Sequence, residues 1–214
     1  MRGSFRKRLT KAVMRRLDPP PPAHLPDTTL LSGQILVRDN LLDTGDFIKL
    51  QRWAFNVATP RTRDDRNWDE LIKRDFAENK STRQWQSDQD DVPEEAQVFL
   101  NVLRKNNIIA DDDLLHFGVY RWERLSGMGV HQDSHTDTAI TFYLNDVWEK
   151  DWGGDFVYYE SSDDLRAGVG VAVMPAANRL VVNHSTIHHK VNYCSITAQD
   201  RVTIQAFVYK GQSR

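Results

Sequence analysis

The second half of the chain most constrains the fold. Seven short segments there read as β-strands: Leu114–Leu125, Ala139–Leu144, Asp155–Tyr159, Val169–Met174, Arg179–Val182, Lys190–Cys194 and Val202–Tyr209. Each is rich in β-branched or aromatic residues and bounded by Gly, Pro, Asn, Asp or Ser. Strands this short and this regularly spaced predict a sandwich or jelly roll. Neither an internal repeat nor a Rossmann glycine pattern is present. The glycines of Ser126–Val130, SGMGV, read as a turn rather than a phosphate cradle.

The first half reads as helical support. ILVRD (35–39) predicts a short strand. Leu41 to Val57 predicts a helix capped by Asp43 or Thr44, with Phe47, Leu50, Trp53 and Ala54 on one side. Residues 58–92 are polar, and the expectation is loop with a helical stretch near 67–77. Pro93-Glu94-Glu95 opens a second helix through Lys105, because proline and acids suit a first turn. Val98, Leu100 and Leu103 are its expected apolar contacts. The architecture expected is mainly β with α+β character: a jelly-roll core over about 114–209, packed against the preceding helices.

The chemistry is concentrated in GVHQDSHTDTAITFYLN, residues 129–145. It holds two His-x-Asp pairs, His131/Asp133 and His135/Asp137. On an extended segment residues two apart face the same side. One imidazole and one carboxylate then converge, and a second histidine would complete a two-His, one-carboxylate triad suited to non-haem Fe(II). Candidates for that histidine are His184, His188 and His189. His188 and His189 face opposite ways on a strand, so only one can serve. Twelve residues past His189, Arg201 opens the last strand. An inward arginine matches a carboxylate bidentately, whereas an outward one would pair with Asp200 or another acid.

Composition narrows the partners. A chain of 214 residues fits one domain with or without an arm. The net charge of −2 argues against general nucleic-acid binding. Residues 1–17 hold seven basic side chains and no acid, with apolar residues at helical intervals. Such an arm can pack on the acidic body, touch an anionic membrane or a partner, or serve in targeting. DPPPPAHLPD (18–27) reads as an extended linker to a domain over 28–214. No apolar run approaches the ~20 residues that span a bilayer. A single cysteine, Cys194, leaves no internal disulfide. A cytoplasmic setting is the default expectation.

These motifs together resemble the Fe(II)/2-oxoglutarate-dependent dioxygenases of the prolyl-4-hydroxylase-like branch. The resemblance rests on His131-Gln132-Asp133, Thr141–Asn145, Trp148, Trp152-Gly153-Gly154, Pro175, Asn178-Arg179-Leu180, His189-Lys190-Val191 and Arg201–Ile204. It implies a double-stranded β-helix with iron on His131, Asp133 and His189. It also implies 2-oxoglutarate and O2 as cosubstrates, with ascorbate as a stimulant. Arg201 would meet the distal carboxylate of 2-oxoglutarate with Tyr143, and Tyr120 would border the same pocket. His135, Asp137 and Trp122 would contact a small-molecule or peptide substrate. Asp133 is the carboxylate that related halogenases lack, so its presence implies hydroxylation. The competing reading is a non-redox, cupin-like metal binder or sensor, which has no need of an inward arginine behind its metal.

Overall fold

Two antiparallel sheets face each other across the cavity that holds the histidines. The computed structural model describes residues 28–30, 33–59, 82–88 and 91–210. The arm and linker expected over 1–27 and the helix expected near 67–77 lie outside the described residues. Strands β1 (Thr28–Leu30), β2 (Ile35–Arg38) and helix α1 (Thr44–Asn56) come first. β3 (Thr82–Asp88) and helix α2 (Glu94–Lys105) follow. The core then runs β4 (Leu114–Trp122), β5 (Met128–His131), β6 (Thr138–Tyr143), β7 (Phe156–Tyr158), helix α3 (Ser162–Ala167), β8 (Val171–Val173), β9 (Leu180–His184), β10 (His189–Val191) and β11 (Arg201–Tyr209).

The larger sheet has the order β1-β2-β9-β6-β11-β4-β3 and the smaller β5-β10-β7-β8. From β4 onward the chain mostly alternates between sheets, and only β7 and β8 are consecutive in one. This is the double-stranded β-helix. Two short strands depart from expectation. Thr82–Asp88, expected as loop, pairs along all of its residues with β4. Its sequence TRQWQSD carries one large apolar residue, so periodicity could not reveal it. Met128–His131, expected as a turn, pairs with β10 instead. The expected strand Lys190–Cys194 ends at Val191 and begins at His189.

The helices cover the outer face of the larger sheet. Asp43 caps α1 by accepting from the Asp46 amide at 2.9 Å. In α2 the buried residues are Ala96, Phe99, Leu100 and Leu103, an i, i+3, i+4, i+7 stripe. Val98, also expected to supply apolar contacts, lies beside that stripe and is half-buried. The stripe meets the alternate outward residues of the strands, including Phe117, Val119, Phe142, Val202, Ile204 and Ala206. Phe99 stacks on Phe142 with ring centroids 4.9 Å apart. Asn178 ties this layer to the barrel by accepting from the Leu42 amide and donating to its carbonyl.

Phe99 is fully buried and lies far from the inner face. Phe99→Ala should therefore cost about 3–5 kcal/mol of stability. A urea titration checks this, and a cost near zero would mean that α2 does not cover the sheet.

Candidate metal centre

His131 closes β5 and His189 opens β10, and the two are Cα partners across that ladder. Their rings lie 4.2 Å apart. Asp133 stands two residues past His131, in a turn closed by the Thr136 amide and hydroxyl on the Asp133 carbonyl. Its Oδ1 lies 3.7 Å from His131 Nε2 and its Oδ2 3.4 Å from His189 Nε2. One ligand atom from each of the three side chains falls within 4.8 Å of the others.

Both histidines are oriented in the same way. His131 Nδ1 lies 2.8 Å from the Gly129 carbonyl and His189 Nδ1 lies 2.9 Å from that of Ile187. A carbonyl can only accept, so each Nδ1 carries the hydrogen and each Nε2 presents a lone pair. This tautomer follows from the hydrogen-bond partners. Phe156 stacks on the His189 ring at 5.0 Å. Burial first, and then the neighbouring His131, push the His189 imidazole down to about 4. The His189–Asp133 contact is therefore no ion pair at neutral pH. Asp133 is buried, and among the described residues no lysine or arginine pairs with it. Its one amide donor is Asn183 Nδ2, 3.5 Å from Oδ2. A buried carboxylate between two imidazole lone pairs suits a divalent cation, and the open side of the triad suits non-haem iron.

The ladders rank the inner face of the larger sheet. Asn183, Ala139, Phe207 and His116 share one rank, reading across β9, β6, β11 and β4. Val181, Thr141, Gln205 and Gly118 form the next. Tyr143, Thr203 and Tyr120 form the third, and Arg201 faces Trp122 in the last. The cavity beside the triad is lined by Asn183, Ala139 and Phe207 of the first rank and Thr141 and Gln205 of the second, together with Met128, Phe156 and Val191. Arg201 lies about 13 Å of strand from Gln205.

Arg201 is 1% exposed. Its Nη1 donates to the Gly154 carbonyl. Its guanidinium carbon lies 5.0 Å from the Trp122 ring and 5.9 Å from that of Tyr143. No carboxylate among the described residues pairs with it. Asp200 turns instead to Arg121, at 3.9 Å. Gly154, at φ +71, leaves room for this arrangement, because a Cβ there would stand 3.3 Å from Arg201 Cδ. Asn145 continues the β6–β11 ladder beyond its last pair by accepting from the Val202 amide at 2.8 Å.

Burial pushes the phenol of Tyr143 up, against the opposing effect of Arg201. Burial also pushes Tyr120 up to about 12. Both are neutral donors at physiological pH. The Tyr120 hydroxyl accepts from Gln86 Nε2 at 2.9 Å, which leaves its own hydrogen free.

The remaining expected residues separate. His135 is exposed, with its ring 6.3 Å from that of Phe207, which lines the cavity. Asp137 joins strand ends: its carboxylate accepts from the Lys210 amide at 2.8 Å and its amide donates to Val208. Trp122, expected to contact substrate, lies opposite Arg201 at the far end of the ranks and is fully buried. His184 is exposed against Thr186, and His188 faces Gln132. Asn183, Thr203, Gln205 and Gln86 were not singled out from sequence. The first three follow by period two from Val181 and Arg201, but Gln86 lies on the strand that periodicity missed.

Asn183→Ala should weaken metal binding by about 10–100-fold, whereas His135→Ala should retain the metal. Competition with a chelator measures both, and equal losses in the two variants would contradict the ligand geometry. The metal-free protein should also lose stability as pH falls. An unfolded imidazole takes up its proton near pH 6.5 and the folded His189 near 4. Between those values the unfolded state binds more protons. The urea midpoint in chelator should therefore fall more steeply for the wild type than for His189→Gln.

Comparison with known proteins gives a consistent result. A family model of the 2OG-Fe(II) oxygenase superfamily matches residues 115–209. No curated protein matches the sequence. The structure is similar to a prolyl-4-hydroxylase from Pseudomonas putida, with a TM-score of 0.57 at 14% identity over 84% of this chain and 94% of that one. It is similar to a prolyl hydroxylase from Trichoplax adhaerens in complex with a hypoxia-inducible-factor oxygen degradation domain peptide, with a TM-score of 0.61 at 15% identity over 85% and 87%. It is also similar to HygX from Streptomyces hygroscopicus with nickel, 2-oxoglutarate and hygromycin B bound, with a TM-score of 0.58 at 12% identity over 82% of each chain. The family match falls on the strands that build the cavity, β4 to β11, and it is this part of the chain that is similar to the 2OG-Fe(II) oxygenase superfamily.

Proposed function

We propose that His131, Asp133 and His189 hold Fe(II), and that Arg201 anchors the distal carboxylate of 2-oxoglutarate in an oxygen-dependent hydroxylase. The observation that carries this reading is the pairing of two buried, unmatched charges. Among the described residues, Asp133 meets no cation beside its two clamped imidazoles, and Arg201 meets no anion at the other end of one sheet face. Fe(II) bound at the triad would supply the redox chemistry, in which O2 oxidatively decarboxylates 2-oxoglutarate to succinate and CO2 and hydroxylates a substrate C–H bond.

The chain's own residues do the rest. The Gly129 and Ile187 carbonyls hold both histidines in the ligating tautomer. Asn183 steadies Asp133. Arg201, Thr203, Tyr143 and Tyr120 provide one cation and three hydroxyls along the 2-oxoglutarate path. Phe207 and the apolar wall keep water from the reacting centre. Substrate enters at the open side, past Phe207 and His135. The substrate is a peptide or a small molecule: a prolyl residue in a peptide, a free amino acid or a small metabolite. A peptide on the Trichoplax protein and hygromycin B on the Streptomyces protein support that range. Residues 28–214 act as the catalytic unit, preceded by a basic arm that contacts an anionic surface or partner. No helix among the described residues is long and apolar enough to cross a membrane. A single unpaired, buried Cys194 supports a cytoplasmic setting.

With Fe(II), ascorbate and O2, the wild type should form succinate slowly from 2-oxoglutarate without any primary substrate, and His131→Ala should not. Arg201→Ala should raise the 2-oxoglutarate requirement by on the order of tenfold or more while retaining the metal. Iron-loaded protein that neither forms succinate nor binds 2-oxoglutarate would instead be a non-redox metal binder.

A further inference from the structure

Three buried polar atoms at the Arg201 end of the ranks have no partner among the described residues: Arg201 Nε, Trp122 Nε1 and Thr203 Oγ1. None of the three residues is more than 1% exposed. The first two atoms are obligate donors, and the hydroxyl can donate. They sit on adjoining ladder positions. Trp122 is the Cα partner of Arg201, and Thr203 lies two residues along β11 on the same face. The guanidinium stands over the Trp122 ring. The same indole packs in one cluster with Tyr120 and Met128, and Met128 lines the metal cavity. Trp122 therefore belongs to the arginine's surroundings and packs in one cluster with a residue that lines the site.

A buried donor with no acceptor is costly and rare. A phenylalanine would pack this site without that cost, so the indole N–H needs an acceptor of its own. Arg201 already commits Nη1 to Gly154. A carboxylate offers about four lone-pair sites on two oxygens, and a bidentate guanidinium contact fills two of them, leaving room for a further donor. We propose that the Trp122 N–H is a second recognition donor for the distal carboxylate of the cosubstrate, making Trp122 a residue that selects a dicarboxylic 2-oxo acid. This rests on the reading of Arg201 as that carboxylate's anchor. A 2-oxo acid without the second carboxylate would leave all three donors unmatched.

The test uses the full chain loaded with Zn(II) in place of iron, titrated with 2-oxoglutarate and, separately, with 2-oxobutyrate. Trp122→Phe should weaken 2-oxoglutarate binding by on the order of tenfold or more and leave 2-oxobutyrate binding unchanged. In wild-type protein with 15N-labelled indoles, one of the six tryptophan signals should shift downfield on adding 2-oxoglutarate. 2-Oxobutyrate should not move it, and Trp122→Phe should lack it. If Trp122→Phe fails to fold, the wild-type indole signals still decide. Equal loss for both acids, no loss for either, or no indole shift would overturn the proposal, leaving the N–H to a bound water. Wild-type protein that binds neither acid would overturn the Arg201 reading itself, a separate and recognisable outcome.

Discussion

The site depends on the double pairing of β11. This strand bonds to β4 along all nine of its residues and to β6 along six. So constrained, its side chains can only alternate. Val202, Ile204, Ala206 and Val208 enter the helix-covered core. Arg201, Thr203, Gln205 and Phe207 lie on the opposite face, and the last two line the cavity. A slip of one residue would exchange the two sets. It would place an arginine in an apolar layer and valines where polar atoms are needed. The hydrophobic layer under the helices therefore sets the order of the groups that meet ligands.

That order gives the cavity two electrostatic ends. The triad end offers a buried carboxylate and two lone pairs. The far end offers a guanidinium and further donors with no acid opposite among the described residues. Bringing these two ends into direct contact would cancel both, and the intervening ranks keep them apart. The low-polarity walls strengthen whatever attraction remains. The same burial that lowers His189 and raises Tyr143 and Tyr120 keeps the imidazole a lone-pair ligand and the phenols hydrogen donors. One physical cause prepares both ends.

Much of this was legible in the chain. The strand-rich second half, the His-x-Asp spacing and an arginine opening the last strand all depend on local periodicity. The strands that failed to show were those without an apolar signal: TRQWQSD of β3 and the glycine-bearing MGVH of β5. Both are held by partners rather than by propensity. Trp122 shows a different limit. Its strand face was readable, but its rank along the cavity was not, because rank depends on the register with β11.

By itself, the sequence determined which side chains share a face and which residue types could bind a cation or an anion. Those properties follow from the period of a strand and the chemistry of each group. The tertiary structure alone decided which histidine joins the pair, because His189 meets His131 only through the β5–β10 ladder. It also decided that Asp200 serves Arg121 and leaves Arg201 without an acid, and that Asn183 reaches Asp133 across 50 residues of chain. Such contacts join segments distant in sequence, and only register and sheet packing bring them within bonding distance.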